Sequence, residues 1–309
     1  MSIRSFFLTV LILMAASLPA RGFELQTLRI ADNVYALVGG LSMRSYDNHA
    51  LNSTSGFIVT PEGVVLIDPG ASAKGAALIE RTIGAVTAKP VRWVINSGAQ
   101  DHRWLGNGYF ASRGARIIAL ARTVKEQKLR AAIHLARLTP ILKDRLEGTE
   151  PVTAPEPLPG DRATLELGGR KLELIWPGPA HFAGDAVIWL AGERILFTGD
   201  LVFLERMLGV LPFSNAPKWL QSFQIVEQLQ PEKIVPGHGH PGSLEDARRD
   251  TGAYLKWLVG HVRPEVENWT PLEEVVEKLK DAPFKFLRNY DLLHKLNVNR
   301  TYLQIEAGG

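Results

Sequence analysis

The sequence contains no cysteine among its 309 residues. Disulfide bonds, thiolate metal ligands and a cysteine nucleophile are therefore all excluded. Net charge is also small, since 35 Lys and Arg residues face 32 Asp and Glu residues. A chain so close to neutral has no polybasic field with which to hold nucleic acid or an anionic membrane. The 28 glycines and 19 prolines are scattered without a period, which excludes collagen-like and low-complexity structure.

One apolar run stands out, and it lies at the start of the chain. Residues 5–18 carry no charge, and they follow Arg4 and precede the small residues Ala20 and Gly22. This pattern predicts a secretory signal peptide that spans residues 1–22. The run has about 14 residues, fewer than the roughly 20 that a membrane-spanning helix needs, so we expect cleavage rather than an anchor. Export from a Gram-negative cell would place the mature protein in the periplasm.

Strand patterns open each half of the remaining chain, and helical patterns close it. The predicted strands are 28–30, 34–38, 56–60, 64–68, 92–96, 115–120, 163–167, 172–176, 186–190, 194–197 and 234–235. The predicted helices are 73–86, 123–147 (kinked or split at Pro140), 217–229, 244–261 and 271–279. Two sheets packed face to face with helices outside satisfy this order, so the fold class is α/β. We expect one domain over residues 23–262 and a C-terminal helical extension over 263–309, packed on the core because it is too short for its own.

Five chemistry-bearing segments follow predicted strands, where a sheet-based enzyme displays its ligands. They are Asp68 in LIDPG, residues 96–102 (NSGAQDH), His181 in PGPAH, Asp200 in FTGD, and His238 in VPGHGH. In this order they resemble the metallo-β-lactamase superfamily, from about Val34 to Val262. The resemblance implies a four-layer αββα sandwich with its ligands along one edge of the paired sheets.

The loop after strand 92–96 departs from the family pattern His-x-His-x-Asp-His. In an ungapped alignment, Gly98 and Gln100 stand at the first two histidine positions. His102 then takes the aspartate position and Arg103 the last histidine position. Neither glycine nor a glutamine amide is a useful zinc ligand, so the first two histidine ligands are lost.

A shift of one residue gives a second alignment of the same loop. Asp101 and His102 then match the Asp-His pair of the family, while Ser97 and Ala99 take the two histidine positions. We prefer this alignment because it keeps two good ligands side by side, although Gly106-Asn107 fits the ungapped alignment better. The two histidines are missing in either case.

The resemblance implies a ligand set from the remaining positions. The family's first ion would need the missing histidines together with His181, whereas the second would need Asp101, His102, Asp200 and His238. We therefore expect one ion, drawn from these five residues, with Asp101 and Asp200 as catalytic carboxylates. Nitrogen and oxygen donors without sulfur suit Zn²⁺, and Fe²⁺ or Mn²⁺ would also accept them. A water on the ion would attack an ester, a lactone or a similar small substrate.

A narrower resemblance comes from the string Ser97–Asn107 and the tail segment Leu293–Tyr302. Both are similar to the quinoprotein relay system zinc metallohydrolases, a branch associated with periplasmic alcohol oxidation that depends on pyrroloquinoline quinone (PQQ). This implies a periplasmic PQQ-dependent dehydrogenase system as partner. The alternative is a non-catalytic accessory protein that binds metal, a quinone cofactor or a quinoprotein through a degenerate site. No nucleic acid or membrane partner is expected after signal cleavage.

Two interpretations stay open for several other polar residues. Arg103 either pairs with a buried carboxylate or faces an anionic substrate. His134, His261 and His294 lie on predicted helical segments, where a surface or packing role is expected.

Overall fold

The computed structural model of the protein describes residues 23–308. The predicted signal peptide at residues 1–22 lies outside them. Within the described residues, eleven strands form two sheets and α-helices cover them. None of the helices in this part of the chain is long and apolar enough to cross a membrane.

The first sheet has six strands in chain order. They are β1 (Gln26–Ala31), β2 (Val34–Val38), β3 (Thr54–Val59), β4 (Val64–Ile67), β5 (Val91–Ile95) and β6 (Arg116–Ile118). The first four pair antiparallel, and β5 and β6 continue the sheet parallel to β4. β4 is buried along its whole length, which explains why its sequence is an uninterrupted apolar run.

The second sheet has five strands in the order β11-β10-β9-β8-β7. They are β7 (Arg162–Leu167), β8 (Arg170–Ile175), β9 (Val187–Leu190), β10 (Ile195–Phe197) and β11 (Lys233–Val235). β10 and β11 are parallel, and the other pairs are antiparallel. The carboxyl ends of β10 and β11 therefore point to the same edge of the sheet.

Eight α-helices cover the sheets within the described range. They are α1 (Ala73–Gly84), α2 (Asn107–Ala111), α3 (Ala121–Leu142), α4 (Ala216–Leu229), α5 (Leu244–Ala247), α6 (Ala253–Glu267), α7 (Leu272–Lys278) and α8 (Tyr290–Glu306). Local capping sets some of their ends: the Asn215 side chain accepts from the Lys218 amide at 3.0 Å, and Pro217 occupies the first turn of α4.

The core has three main apolar layers. Side chains of both sheets, such as Ile67 and Ile188, meet between them. The outer face of the first sheet packs against α1, with Leu66 against Ile79 and its neighbours. The outer face of the second sheet packs against α4, α6 and α8. The fold is therefore a four-layer αββα sandwich, which confirms the predicted fold class.

Pro140 does not split α3. The helix is continuous from Ala121 and ends at Leu142, only two residues after the proline, and a 3₁₀ turn over Lys143–Leu146 follows. A proline interrupts a helix by removing a donor to the preceding turn, and here that loss falls in the last turn. The predicted end at residue 147 is therefore too late by five residues.

The C-terminal extension is tied closely to the second sheet. α6 runs through Val262 to Glu267, so the boundary expected from the sequence falls inside a helix. α7 and α8 contribute Val275, Val298 and Tyr302 to the same apolar cluster as Trp219 of α4. The extension therefore completes the outer layer on that side of the sandwich.

Candidate metal centre

Three buried side chains converge at the edge where the carboxyl ends of β5, β10 and β11 meet. His102 lies in the turn Asp101–Arg103 after β5, Asp200 in the turn Gly199–Leu201 after β10, and His238 in the loop after β11. Gly199 has a φ of 49°, and a Cβ there would collide with Ser97. The glycine thus lets the Asp200 turn approach the β5 loop from the opposite sheet.

These three side chains form a compact donor set, which we call the metal cluster. His102 Nε2 lies 3.2 Å from Asp200 Oδ2, and His238 Nε2 lies 3.3 Å from Asp200 Oδ1. One donor atom from each residue lies within 4.8 Å of the others, and all three residues are buried. The spacing is that of side chains which surround a common point.

The proton positions on the two imidazoles follow from their outer hydrogen bonds. His102 Nδ1 lies 3.2 Å from Asp101 Oδ1, and His238 Nδ1 lies 2.8 Å from the carbonyl oxygen of Asn52. Both oxygens can only accept, so each Nδ1 carries the hydrogen. Each Nε2 then directs a lone pair at the Asp200 carboxylate, and His102 Nε2 has no hydrogen-bond partner although it is buried.

Three converging lone-pair donors repel one another unless a cation stands between them. Histidines that bind a metal through Nε2 commonly donate Nδ1–H to a carboxylate or a carbonyl, as both do here. Burial lowers the pKa of His238 well below its ordinary value, and Arg206 adds to that effect, so the imidazole is neutral and able to ligate. His102, Asp200 and His238 therefore fit a bound metal ion.

Arg103 fixes the Asp200 carboxylate from the side away from the histidines. Its Nε and Nη2 donate to Oδ2 and Oδ1 of Asp200 at 3.1 and 2.6 Å, and its Nη1 donates to Asp68 Oδ2 at 3.0 Å. Carbonyl oxygens of Thr54 and Gly237 accept the remaining bonds. Of the two interpretations of Arg103, the structure shows pairing with buried carboxylates.

The hydrogen bonds from Arg103, which we call the clamp, leave the Asp200 carboxylate able to bind a metal ion. Burial alone would raise the pKa of Asp200, but the Arg103 charge holds it well below its usual range. A carboxylate offers about four lone-pair sites, two on each oxygen. Arg103 uses one on each oxygen and the Gln100 amide uses the second on Oδ2, so Oδ1 keeps a site for a metal ion.

Asp101 is not brought into the metal cluster. Its Oδ2 pairs with Arg44, and its Oδ1 faces His102 Nδ1. Burial opposes ionisation, but Arg44 lowers the pKa of Asp101 below its usual value. Neighbouring residues of the tight turn point in different directions, so Asp101 and His102 do not both face Asp200. The geometry favours the ungapped alignment over the shifted one: His102 occupies the aspartate position, and Asp101 orients it from behind.

His181 lies beside the metal cluster and contacts Gln100. In the amide orientation that satisfies its neighbours, the Gln100 nitrogen donates to His181 Nε2 at 2.7 Å and to Asp200 Oδ2 at 3.2 Å. The Gln100 oxygen then accepts from Arg44 at 3.0 Å. Burial lowers the pKa of His181 to about 4, so its ring is neutral and its Nε2 accepts this bond. The glutamine amide thus stands between His181 and Asp200.

Gly98 lies against the side chain of Asp185. A Cβ at residue 98 would come within 2.7 Å of Asp185 Oδ1, an oxygen that is buried and has no hydrogen-bond partner. Burial, together with nearby Asp200, raises the pKa of Asp185 well above its ordinary value. Its carboxyl fills the volume that a side chain at residue 98 would need.

Sequence reasoning missed Arg44, Asn52 and Arg206 as parts of this region. Two of them lie on the long loop between β2 and β3, where Arg44 pairs with Asp101 and the Asn52 carbonyl accepts from His238. Arg206 lies beside His238. No motif marks them, because each acts through a loop position whose neighbours are not specified by strand or helix periodicity.

The remaining histidines expected on helices pack or lie at the surface. Burial lowers the pKa of His134 to about 4, and its ring meets Phe182 edge-on. His294 is buried and contacts the Tyr254 hydroxyl at 3.0 Å. His261 stacks on Trp257 at the exposed side of α6.

Comparison with known proteins decides the family. The profile of the metallo-beta-lactamase superfamily matches residues 50–238, which include all three members of the metal cluster. The chain belongs to this superfamily. Its members are hydrolases that typically bind metal ions, so the family assignment agrees with the chemistry of the donor set.

Curated relatives match to different extents. A type 2 metallo-beta-lactamase of Bacteroides fragilis is 24% identical, over 77% of this chain and 92% of its own length. The alpha subunit of a 2,4-dinitroanisole O-demethylase from Nocardioides sp. (strain JS1661) is 26% identical, but the match spans only 48% of each chain. An acyl-coenzyme A thioesterase, MBLAC2 of Gallus gallus, is 32% identical over 34% of this chain and 39% of its own.

Solved structures support the fold. A metallo-beta-lactamase from Pontibacter korlensis superposes with a TM-score of 0.60, covering 75% of this chain and 99% of its own, at 22% identity. The DIM-1 metallo-beta-lactamase gives a TM-score of 0.59 at 19% identity, over 76% of this chain and 98% of its own. At such identities the likeness shows the sandwich alone.

Proposed function

We propose that this chain is a hydrolase that works with a single zinc ion, held by His102, Asp200 and His238. The observation that carries the proposal is the convergence of two imidazole lone pairs and one carboxylate, beside a first site that has lost its histidines. When bound, a zinc ion supplies Lewis acidity toward a carbonyl oxygen and lowers the pKa of a coordinated water toward about 7. Three protein ligands leave the fourth position open, as in catalytic zinc sites.

The protein's own residues prepare this site before any substrate arrives. Asp101 accepts Nδ1–H of His102, and the Asn52 carbonyl accepts that of His238, so both rings are fixed with Nε2 inward. Arg103 holds Asp200 in one orientation. Asp101, which the sequence suggests as a catalytic carboxylate, is on this proposal a positioning residue. Asp200 keeps the catalytic assignment because it faces the reacting centre.

An ester, a lactone or a similar small acyl compound is the proposed substrate class. Two relatives, a beta-lactamase and an acyl-coenzyme A thioesterase, are named for hydrolysis at an acyl carbon. The oxygen and nitrogen donors of the metal cluster suit Zn²⁺, the hydrolytic ion of this proposal, and they would also accept Fe²⁺.

The proposal includes a location and a setting. The pattern at residues 1–22 supports export to the periplasm. The similarity of Ser97–Asn107 and Leu293–Tyr302 to quinoprotein relay metallohydrolases supports a link to PQQ-dependent alcohol oxidation, with a periplasmic dehydrogenase as partner. Intact-mass analysis of protein from the periplasm should miss about 2 kDa, the mass of the first 22 residues. A full-length mass in that fraction would contradict export with cleavage.

Metal analysis of the purified mature protein tests the central proposal. We expect about one zinc per chain and hydrolysis of at least one member of an ester and lactone panel. Chelation should abolish the activity, and added Zn²⁺ should restore it. Two tightly bound ions, or full activity after the metal is removed, would contradict a single-zinc hydrolase.

One observation favours the accessory protein as second candidate. The Gln100 amide links His181 to Asp200, so part of the family's metal site is closed by hydrogen bonds of the chain itself. On this alternative the purified protein is free of metal and still binds a quinoprotein or its cofactor. A pull-down with a PQQ-dependent dehydrogenase, performed with and without chelator, separates the two candidates.

A further inference from the structure

α3 presents an apolar stripe to solvent as well as to the core. Leu129 is 67% exposed and Ile133 is 41% exposed, although both carry large aliphatic side chains. Positions three and four apart share one side of a helix, so these two residues lie one above the other. Ala132, Ala136 and Pro140 are exposed at matching positions. The stripe therefore extends over about three turns of the helix.

Cations border this stripe, and acidic residues do not. Lys125, Lys128 and Arg137 occupy exposed positions of α3, whereas none of its exposed positions holds Asp or Glu. The one acidic residue of the helix, Glu126, pairs with Arg130 at 2.7 Å. No carboxylate of residues 23–308 forms an ion pair with any of the three bordering cations. We call the following residues the basic face: Lys125, Lys128, Leu129, Ile133 and Arg137.

α8 extends the surface that the basic face begins. Arg137 stands over the ring of Phe213, with Cζ 5.9 Å from the ring centroid. Burial lowers the pKa of Arg300 in α8, and the nearby charge of Arg137 adds to that effect. Leu296 and Leu303 are exposed, and their spacing places them on the same side of α8 as Arg300. Exposed leucines and an arginine thus continue the pattern of α3 on a second helix.

The positive charge of the basic face is hidden in the net charge of the chain. α3 carries five cations and one carboxylate, while the whole sequence holds 35 Lys and Arg against 32 Asp and Glu. Charges at a surface are felt only within a Debye length, about 8–10 Å at physiological salt. A nearly neutral protein can therefore have a locally positive surface, and the expectation of no membrane partner rested on net charge alone.

The basic face lies one helix away from the metal cluster. On the inner side of α3, Gln127 Nε2 donates to the Gly98 carbonyl oxygen at 3.1 Å, in the loop that carries His102. The Thr123 hydroxyl donates to the Gly184 carbonyl at 2.5 Å, close to His181 in sequence. A surface that binds the outer side of α3 would therefore hold the candidate metal centre near itself.

The composition of the basic face favours lipid over a protein partner. Protein interfaces are enriched in aromatic residues and depleted in Lys, and leucine is under-represented among their hot spots. The basic face has two lysines and only aliphatic apolar members, on a convex helix. A lysine stem can lie along apolar surface while its ammonium stays at the level of the phosphate headgroups. Interfacial helices bind through this combination of apolar area and attraction to anionic lipid.

We propose that the basic face binds the surface of a membrane that contains anionic phospholipids. Binding is peripheral: Leu129 and Ile133 enter the headgroup region, and the three cations contact lipid phosphates. No helix of residues 23–308 is long and apolar enough to cross the bilayer. Lipid binding requires neither a metal ion nor a substrate, so it is independent of the proposed hydrolysis.

Co-sedimentation with vesicles tests the charge of the basic face. The protein is used without residues 1–22, because that apolar run would itself enter lipid. We expect binding to an equal mixture of phosphatidylglycerol and phosphatidylcholine, and little binding to phosphatidylcholine alone. Each Lys or Arg near an anionic surface contributes about fivefold in affinity, so Lys125→Gln with Lys128→Gln should weaken binding about 10- to 30-fold.

A second pair of lysines provides the matched control. Lys171→Gln with Lys256→Gln removes the same net charge from exposed positions of β8 and α6. This variant should bind the mixed vesicles as the wild type does. Equal weakening in both double variants would mean that net charge, not the basic face, holds the protein to lipid. Absence of wild-type binding to the mixed vesicles would overturn the proposal and leave an acidic protein as the partner to test.

The apolar members have their own test, which the lack of cysteine makes possible. Ile133→Cys and Val86→Cys each provide one thiol for a polarity-sensitive fluorophore, on the basic face and at the far end of α1. Mixed vesicles should raise the emission of the label at residue 133 several-fold and leave that at residue 86 unchanged. Leu129→Gln should weaken vesicle binding about 10-fold. A response at residue 86 alone would place the lipid on another surface.

Metal content separates this surface from the metal cluster. Zinc-loaded and metal-free protein should bind the mixed vesicles with equal affinity, and Leu129→Gln should keep its zinc. If no ester or lactone is hydrolysed, the proposed function fails while vesicle binding still reports on the basic face. Binding that requires zinc would place the lipid phosphate at the metal cluster and would contradict a role for α3.

Discussion

The two sides of the metal cluster differ in what satisfies their polar groups. On one side, which we call the open side, His102 and His238 direct unpartnered lone pairs at Asp200, and this leaves a place for a cation. On the other side, which we call the closed side, Gln100 joins His181 to Asp200 through hydrogen bonds, and no place for a cation remains. The same carboxylate serves both sides. The comparison shows how a two-ion fold can become a one-ion site: an amide nitrogen stands between two groups that would otherwise need a metal.

The largest effect should come from removing a ligand on the open side. His102→Asn and His238→Asn each leave two protein ligands, so zinc affinity should fall by about two orders of magnitude or more. Competition titration against a chromogenic chelator measures this directly. His134→Asn changes another buried histidine near the cluster and should keep its metal. Full zinc occupancy in both ligand variants would remove the basis for a metal site here.

The next largest effect is expected when Arg103 is replaced, and it concerns the free energy of unfolding. Its guanidinium is fully buried and joins Asp68 to Asp200, so Arg103→Leu leaves two buried carboxylates without their cation. Breaking a buried ion pair from one end costs about 3–5 kcal/mol of unfolding free energy. Urea unfolding of the metal-free protein measures this without interference from zinc. A loss no greater than that in the exposed control Arg113→Leu would mean that the clamp contributes little.

The fold could be predicted from sequence because strand order and strand-end motifs are local signals. The ends of β4, β5, β10 and β11 bring Asp68, the loop after β5, Asp200 and His238 to one edge, as the motif order implied. A helical segment was expected around His294, but the bounds of α8 could not be predicted because much of its buried face is polar: Asn297 bonds the Val210 amide and the Leu208 carbonyl, and Thr301 is fully buried. A prediction from the spacing of apolar residues cannot detect a buried face that is polar.

The site was harder to predict at the level of single side chains. Whether Asp101 or His102 faces Asp200 depends on the direction in which each leaves one tight turn, which residue type does not specify. The partner of Arg103 is likewise set by the approach of two distant loops.

Asp101 offers a smaller test of the open side. Asp101→Asn keeps the shape but weakens the hold on His102 Nδ1, and it leaves Arg44 without its partner. Loss of a carboxylate that orients a metal-bound histidine typically lowers metal affinity about 10- to 100-fold. The same competition titration should therefore place this variant between wild type and His102→Asn. An affinity as low as that of His102→Asn would mean that Asp101 itself binds the ion, as the shifted alignment supposes.

The smallest effect is expected on the closed side, at His181. The lone pair of its Nε2 accepts a hydrogen bond from Gln100. Its ring is packed among Phe182, Phe203 and Trp219. His181 therefore has no free lone pair for a metal at the cluster. His181→Asn should therefore keep about one zinc per chain, with affinity within about threefold of wild type, below the range seen even for residues that orient ligands. His238→Asn is the matched substitution on the open side. Some stability should be lost in His181→Asn, since a buried ring is shortened, and that loss should be equal with and without zinc. If His181→Asn loses zinc as His238→Asn does, Gln100 must move aside on metal binding, and the ion then draws ligands from both sides of Asp200.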